Sequence, residues 1–446
     1  MVRAVTRSAP AVALTTLLLT IGPASAAAVV PPPVDPTALP VAAAPAPPAP
    51  TERSAPCRSV DPGAGGAGRP QFPLASLRTL WRLADGAGQT VAVIDTGVAR
   101  HRLLPRLLAG GDYVSNGDGT EDCDAHGTFV AGIIGAAPAD DFAGITPAAA
   151  ILTIRQSSAV FRRTGEATGG VGDVRTLAAA VRTAADAGAT VINVSTVACA
   201  SADLSIADEA LGAALAYAVD VKNVVVVAAA GNTGGDGGCD GQNPTNGGTP
   251  DWDGVGVAAS PSWYDDYVLT VGSVDRDGRP SAFTLAGPWV DVAAPGEDVV
   301  SLAPDGDGLT DVVPGASGEA PLSGTSYAAP VVAGVAALVR SRSPELTARQ
   351  VMQRIEDTAL RPSSGWNPLV GHGVVDALAA VSAGSAPPVP AQPVAVAGPA
   401  ALPAPATGTR GVALAGAAVC IAVAAAAILL PRNRSARGSD RGVTRD

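Results

Sequence analysis

Apolar and polar positions change rhythm repeatedly through the middle of this chain. Val91, Ala92, Val93 and Ile94 form an unbroken apolar run that ends on Asp95, which is how a strand buried on both faces reads. Residues 173–187 carry apolar positions at helical spacing, 190–194 read as a strand, 206–219 as a helix and 224–229 as a further strand. A last helical pattern runs from Ser326 through Val339, and Pro330 fits best in its first turn, because proline further in kinks or breaks a helix. Strands alternating with helices predict an α/β fold: three layers, with a mainly parallel sheet covered by helices on both faces. Sites in such sheets gather at the carboxyl ends of strands. Asp95 and the pair Gly231 and Asn232 stand at such ends.

The ends of the chain follow other patterns. Arg3 and Arg7 precede an apolar stretch over 9–21, and Ala24, Ser25 and Ala26 form a small-residue cleavage site; residues 1–26 read as a secretory leader. Residues 27–73 begin Pro- and Ala-rich, a composition that is extended rather than packed on its own. The folded domain is expected over 74–384. Gly/Asp/Asn-rich stretches at 233–256 and 304–319 read as long surface loops. Residues 385–410 form a second Pro/Ala-rich linker. Residues 411–430 are apolar over about the 20 residues that a membrane helix needs. Five arginines follow within 431–446, which puts that tail in the cytoplasm and the main domain outside.

Charge narrows the partners. The formal net charge of −11 argues against nucleic acid. Aromatic residues make up only 3% of a chain that is 47% hydrophobic, so the core is built from small aliphatic side chains. Cys57, Cys123, Cys199 and Cys239 lie in the exported part, where disulfides form. Four cysteines allow three pairings. Short-range logic favours Cys199 with Cys239, each following a core strand at one sheet edge, and this leaves Cys57 with Cys123. Asp236, Asp240, Asp251 and Asp253 share a loop without EF-hand spacing, so no metal is assigned to them.

Three segments carry chemistry: VAVIDTGV around Asp95, DAHGTFVAGII around His126 and SGTSYAAPVVAGVAAL around Ser326. They supply a carboxylate, an imidazole and a hydroxyl, the parts of an activated serine nucleophile. Their order, Asp then His then Ser, is the subtilisin order. The region from about residue 74 to 384 resembles a subtilisin-like serine protease domain. That resemblance implies peptide-bond hydrolysis through an acyl-enzyme without metal or other cofactor. In it Ser326 attacks, His126 moves the proton, Asp95 orients His126, and Asn232 of AAAGN completes an oxyanion hole. It also implies a substrate-binding edge at Ser195, Thr196 and Val197, faced by Gly231. Where relatives carry Ser-Leu-Gly-Gly this chain carries Ser195, Thr196, Val197 and Ala198, so the primary pocket is expected to be narrow and to favour small side chains.

No separate pro-domain fits between the leader and the domain, so residues 27–73 are read as a strap held by Cys57. The leader, this strap, IRQSS at 154–158, INVSTVAC at 192–199, the linker and the C-terminal anchor together resemble the mycosins. These are membrane-anchored subtilases associated with type VII secretion. That resemblance implies limited proteolysis of secreted proteins, a partnership with the secretion membrane complex, and an extracytoplasmic catalytic domain. The alternatives are a scaffold that does not need catalysis and a general surface protease.

Overall fold

The computed structural model describes residues 29–384, apart from 61–62, 64–67, 168, 203, 205, 235–237, 316–317 and 364. The leader at 1–26, the linker at 385–410, the span at 411–430 and the tail at 431–446 lie outside the described residues. Among the described residues no helix is long and apolar enough to cross a membrane.

The extension contributes a 3-10 turn over Pro36–Ala38 and strand β1 (Thr51–Arg53). The domain continues as α1 (Leu74–Trp81), β2 (Thr90–Asp95), β3 (Leu107–Asp112), α2 (His126–Gly135), β4 (Ala150–Arg155) and β5 (Phe161–Arg163). Next come α3 (Val174–Asp186), β6 (Val191–Val194), β7 (Ala198–Ser201), α4 (Glu209–Ala216), β8 (Val225–Ala229), β9 (Val257–Ser260) and β10 (Leu269–Val274). The remainder is β11 (Val292–Pro295), β12 (Ser301–Leu302), β13 (Leu309–Thr310), β14 (Val312–Gly315), β15 (Gly318–Pro321), α5 (Thr325–Arg342), α6 (Ala348–Thr358) and α7 (Ala377–Ser382).

One parallel sheet organises the domain, in the order β11-β10-β8-β6-β2-β4-β3. Helices α2 and α5 pack on one face, α3 and α4 on the other. Burial on both faces explains why the central strands read as largely apolar runs: every residue of β6 and β8 is buried, with Asn193 the one strongly polar side chain among them. Asp173 starts α3 by accepting the backbone N–H groups of Arg175 and Thr176, while Thr176 answers with its hydroxyl, a reciprocal cap.

Four details depart from the sequence reading. Helix α4 is shorter than 206–219; it covers Glu209–Ala216 and then widens into a π turn over Tyr217–Val221. Pro330 lies in the second turn of α5, not the first, because the helix already begins at Thr325. The stretch 304–319 is not one long loop: it holds parts of two small hairpins, β12 with β13 and β14 with β15. The disulfides join Cys199 to Cys239 and Cys57 to Cys123, but the first does not lie at an edge of the main sheet. Its cysteines follow β6 and β8, which are neighbours in the middle of that sheet, and Cys199 itself sits in the β7–β9 ribbon.

The extension lies on the domain surface. Val29, Val34 and Leu39 pack against the core, and Arg182 donates to the Pro40 carbonyl at 3.0 Å. Further on, β1 pairs antiparallel with β5, and the Thr51 hydroxyl donates to the Val114 carbonyl. The Arg58 amide then donates to the Cys123 carbonyl at 2.8 Å, beside the Cys57–Cys123 bond.

Candidate active site

Three adjacent strands deliver one rim of a single cleft. Asp95 ends β2, Ser195 follows β6, and Gly231 and Asn232 follow β8. Their order in the sheet is β8-β6-β2, so their carboxyl ends stand side by side. Two helices begin at the same end: α2 at His126 and α5 at Thr325. The cleft encloses about 730 Å³. His126, Ser195, Thr196, Val197, Gly231, Asn232 and Ser326 all line it, and Asp95 lies fully buried behind His126. Ala198 does not line it, contrary to expectation; it opens β7 and pairs with Ser260.

Asp95 Oδ1 lies 2.7 Å from His126 Nδ1 and accepts the Thr96 amide at 2.8 Å. This close approach depends on Gly127. A Cβ there would stand 2.0 Å from the Gly97 carbonyl oxygen and 3.2 Å from Asp95 Cβ, so any larger residue would push α2 off β2. A carboxylate on Nδ1 puts the proton on that nitrogen and leaves Nε2 free to accept one. Burial works against the charged imidazole, but Asp95, with smaller help from Asp122 and Asp124, outweighs it and raises the His126 pKa. The Tyr327 ring packs 5.3 Å from the His126 ring.

Asn232 is oriented by α5. Its Oδ1 accepts both the backbone N–H and the hydroxyl of Thr325, at 2.9 and 3.0 Å. That assignment leaves Nδ2 as the donor facing Ser326. Gly324 separates the two groups: a Cβ there would lie 3.1 Å from Ser326 Oγ and 3.3 Å from Asn232 Nδ2. A small space therefore lies between a hydroxyl and an amide donor, at the start of a helix whose first N–H groups have no helical acceptor.

Beside Gly231 lies the Cys199–Cys239 disulfide, both of whose residues line the cleft. The Cys239 sulfur would stand 3.3 Å from a Cβ at Gly231, and the Cys239 amide donates to the Asn232 carbonyl at 2.7 Å. The disulfide thus braces the segment that presents Asn232.

Asp122 was not singled out in the sequence. It accepts the Thr96 hydroxyl at 2.8 Å on one oxygen, and the amide and hydroxyl of Thr128 at 2.8 and 2.7 Å on the other. Thr96 also accepts the Gly127 amide at 2.9 Å. Asp122 therefore ties the residue after Asp95 to the first turn of α2. Its position four residues before His126 was the available signal, but three acidic residues crowd that segment, and only the fold tells them apart. The other two histidines lie elsewhere: His101 is buried and accepts the Leu103 amide, and His372 stands 4.0 Å from Glu356.

The chain matches the subtilase family over residues 86–373. It is 57% identical to Mycosin-4 of Mycobacterium tuberculosis over 96% of both chains. A solved structure of the MycP3 protease from the type VII (ESX-3) secretion system superposes with a TM-score of 0.73 at 46% identity, covering 79% of this chain and all of that one. A chain of an intact ESX-5 inner membrane complex gives 0.74 at 40% identity, covering 90% and 99%. Family membership at this level makes the chain a serine endopeptidase, a subtilase that belongs to the mycosins.

Proposed function

We propose that Ser326 is the nucleophile of this endopeptidase, His126 its general base and Asp95 the group that orients His126. The observation that carries the assignment is the Asp95–His126 bond of 2.7 Å at a cleft that Ser326 and Asn232 share. In the acylation step Ser326 Oγ attacks the scissile carbonyl carbon and its proton passes to His126 Nε2. The carbonyl oxygen, now negative, is held by Asn232 Nδ2 and the Ser326 backbone N–H. His126 returns the proton to the leaving amine, the C–N bond breaks, and an ester to Ser326 remains. Water attacks that ester by the same route in reverse.

A serine-reactive fluorophosphonate tests the assignment. It is expected to label the protein once, on Ser326. Ser326→Ala is expected to lose labelling and about 10⁴-fold or more of peptide hydrolysis, with an unchanged melting temperature. Labelling at another serine, or hydrolysis that survives Ser326→Ala, overturns it.

The substrate range is narrow in this reading. Val197 and the Cys199–Cys239 disulfide crowd the cleft on the side facing Gly231. Small side chains are expected immediately before the cleaved bond, and a peptide library that shows efficient cleavage after large aromatics sinks this point.

The natural setting follows from the family. Likeness to a chain of the ESX-5 inner membrane complex supports an extracytoplasmic protease working beside a type VII secretion complex. In this reading residues 411–430 anchor the chain in the membrane. Truncation after residue 384 is expected to move the protein from the membrane to the soluble fraction. A second role, as a structural part of that complex, is favoured by the same likeness. Secretion that persists with Ser326→Ala but stops on deletion of the gene supports it; secretion left untouched by the deletion removes it.

A further inference from the structure

Helix α5 contains an internal vacancy in its hydrogen bonding. Ser326 is its second residue, so the amide that would close a helical ring on the Ser326 carbonyl belongs to residue 330. That residue is Pro330, which has no N–H and whose ring crowds the carbonyl four residues before it. The Ser326 carbonyl does have a donor, and it comes from another element: Ser195 Oγ donates to it at 2.9 Å. Asn193, fully buried on β6, donates its Nδ2 to Ser195 Oγ at 2.8 Å. The Asn193 donation takes up the hydroxyl's acceptor side and turns its proton toward Ser326.

We propose that Ser195 is a positioning residue for the nucleophile. Its hydroxyl replaces the helix donor that Pro330 lacks, and it fixes the peptide plane that follows the Ser326 Cα. The direction of the Ser326 Cα–Cβ bond, and with it the aim of Oγ between His126 and Asn232, depends on that plane. This couples the nucleophile to the strand edge expected to bind substrate, through a side chain rather than through the substrate. The inference rests on Ser326 being the nucleophile.

Kinetics of peptide hydrolysis on the full chain test it. Ser195→Ala keeps the strand backbone and removes only the hydroxyl. A single neutral hydrogen bond predicts a fall in kcat of about five- to tenfold, with KM changed less than about twofold. The decisive variant is Ser195→Ala combined with Pro330→Ala. Residue 330 then has an N–H of its own for the Ser326 carbonyl, and kcat is expected to recover to within about twofold of the parent. A double variant as slow as Ser195→Ala, or a loss that falls on KM alone, overturns the proposal, because a side chain acting on substrate gains nothing from a helix amide. If Pro330→Ala abolishes the cooperative thermal transition, Ser195→Thr decides instead: retained kcat supports the hydroxyl's role, and a loss equal to that of Ser195→Ala at unchanged melting temperature removes it. Ser326→Ala and fluorophosphonate labelling run in parallel. Their failure condemns the nucleophile assignment, whereas a normal Ser195→Ala with an inactive Ser326→Ala condemns only this inference.

Discussion

Asp122 accepts the hydroxyl of Thr96 at 2.8 Å, which sets a second carboxylate beneath the residue that follows Asp95. Burial pushes its pKa up to about 6, against the hydrogen bonds from Thr128 and Thr96. Two effects follow from Asp122→Asn. The charge of Asp122 helps hold a proton on His126, so its loss is expected to lower the His126 pKa. Activity needs neutral His126, and the acid limb of the kcat/KM profile should therefore move to lower pH.

The second effect is on stability. Between the ordinary value of 3.8 and about 6, the folded protein binds a proton at Asp122 that the unfolded chain releases. The contribution of Asp122 to stability therefore falls as pH rises through that window. The variant lacks this dependence, so its melting temperature should gain on the parent's from pH 4 to pH 6. An acid limb that stays in place removes Asp122 from the catalytic electrostatics.

Asn232→Ala removes a side-chain donor from the space beside Ser326. Loss of one such donor costs about 10²–10³ in kcat, a range measured in a subtilisin. The variant is expected to keep its KM and its fluorophosphonate labelling while losing turnover. The Thr325 amide and hydroxyl, which Asn232 now accepts, would lose their partner, so a small drop in melting temperature should accompany it.

Gly324→Ala tests the same space from the other side. The added methyl would stand 3.1 Å from Ser326 Oγ and 3.3 Å from Asn232 Nδ2, where the substrate oxygen has to sit. Turnover is expected to fall by more than about tenfold, with folding unaffected because the residue's backbone is extended and allows any side chain. Normal turnover would mean that the oxyanion forms elsewhere.

Replacing Cys57 and Cys123 by serine opens a loop of 66 residues. Chain entropy for a loop of this length predicts a loss of about 4 kcal/mol, read as a lower urea midpoint. The Arg58–Cys123 backbone bond and the β1–β5 pairing remain, so the extension should stay protected from hydrogen exchange at β1. Replacing Cys199 and Cys239 should instead lower kcat, because that bond braces the Asn232 segment.

Much of this was legible in the chain because parallel strands bury both faces. The strands at 91–94, 190–194 and 224–229 could be read without partners, to within one residue of β6 and β8, and Asp95, Gly231 and Asn232 were marked by standing at their ends. Short antiparallel ribbons were not legible. Strands β12 to β15 have two to four residues each, too few for an alternation to rise above a Gly/Asp-rich background. The place of Pro330 in the second turn was not legible, because helix geometry alone disfavours it and the hydroxyl at the Ser326 carbonyl comes from Ser195, 131 residues before Ser326. The role of Asp122 is hidden in the same way, since its partner Thr96 lies 26 residues earlier. The Cys199–Cys239 pairing was legible, but its place after the neighbouring central strands β6 and β8, and not at a sheet edge, depends on a strand order that no local pattern encodes.

The extension is fastened at three separate places: the packing of Val29, Val34 and Leu39, the β1–β5 ribbon, and the bond to Cys123. One peptide-bond cut between residues 40 and 51 would leave both pieces seated, the first by contact and the second by covalent linkage. Such a molecule would run as a shortened band under denaturing conditions and yet keep its full native mass. The size of a processed band therefore does not report how much of the extension has left the domain.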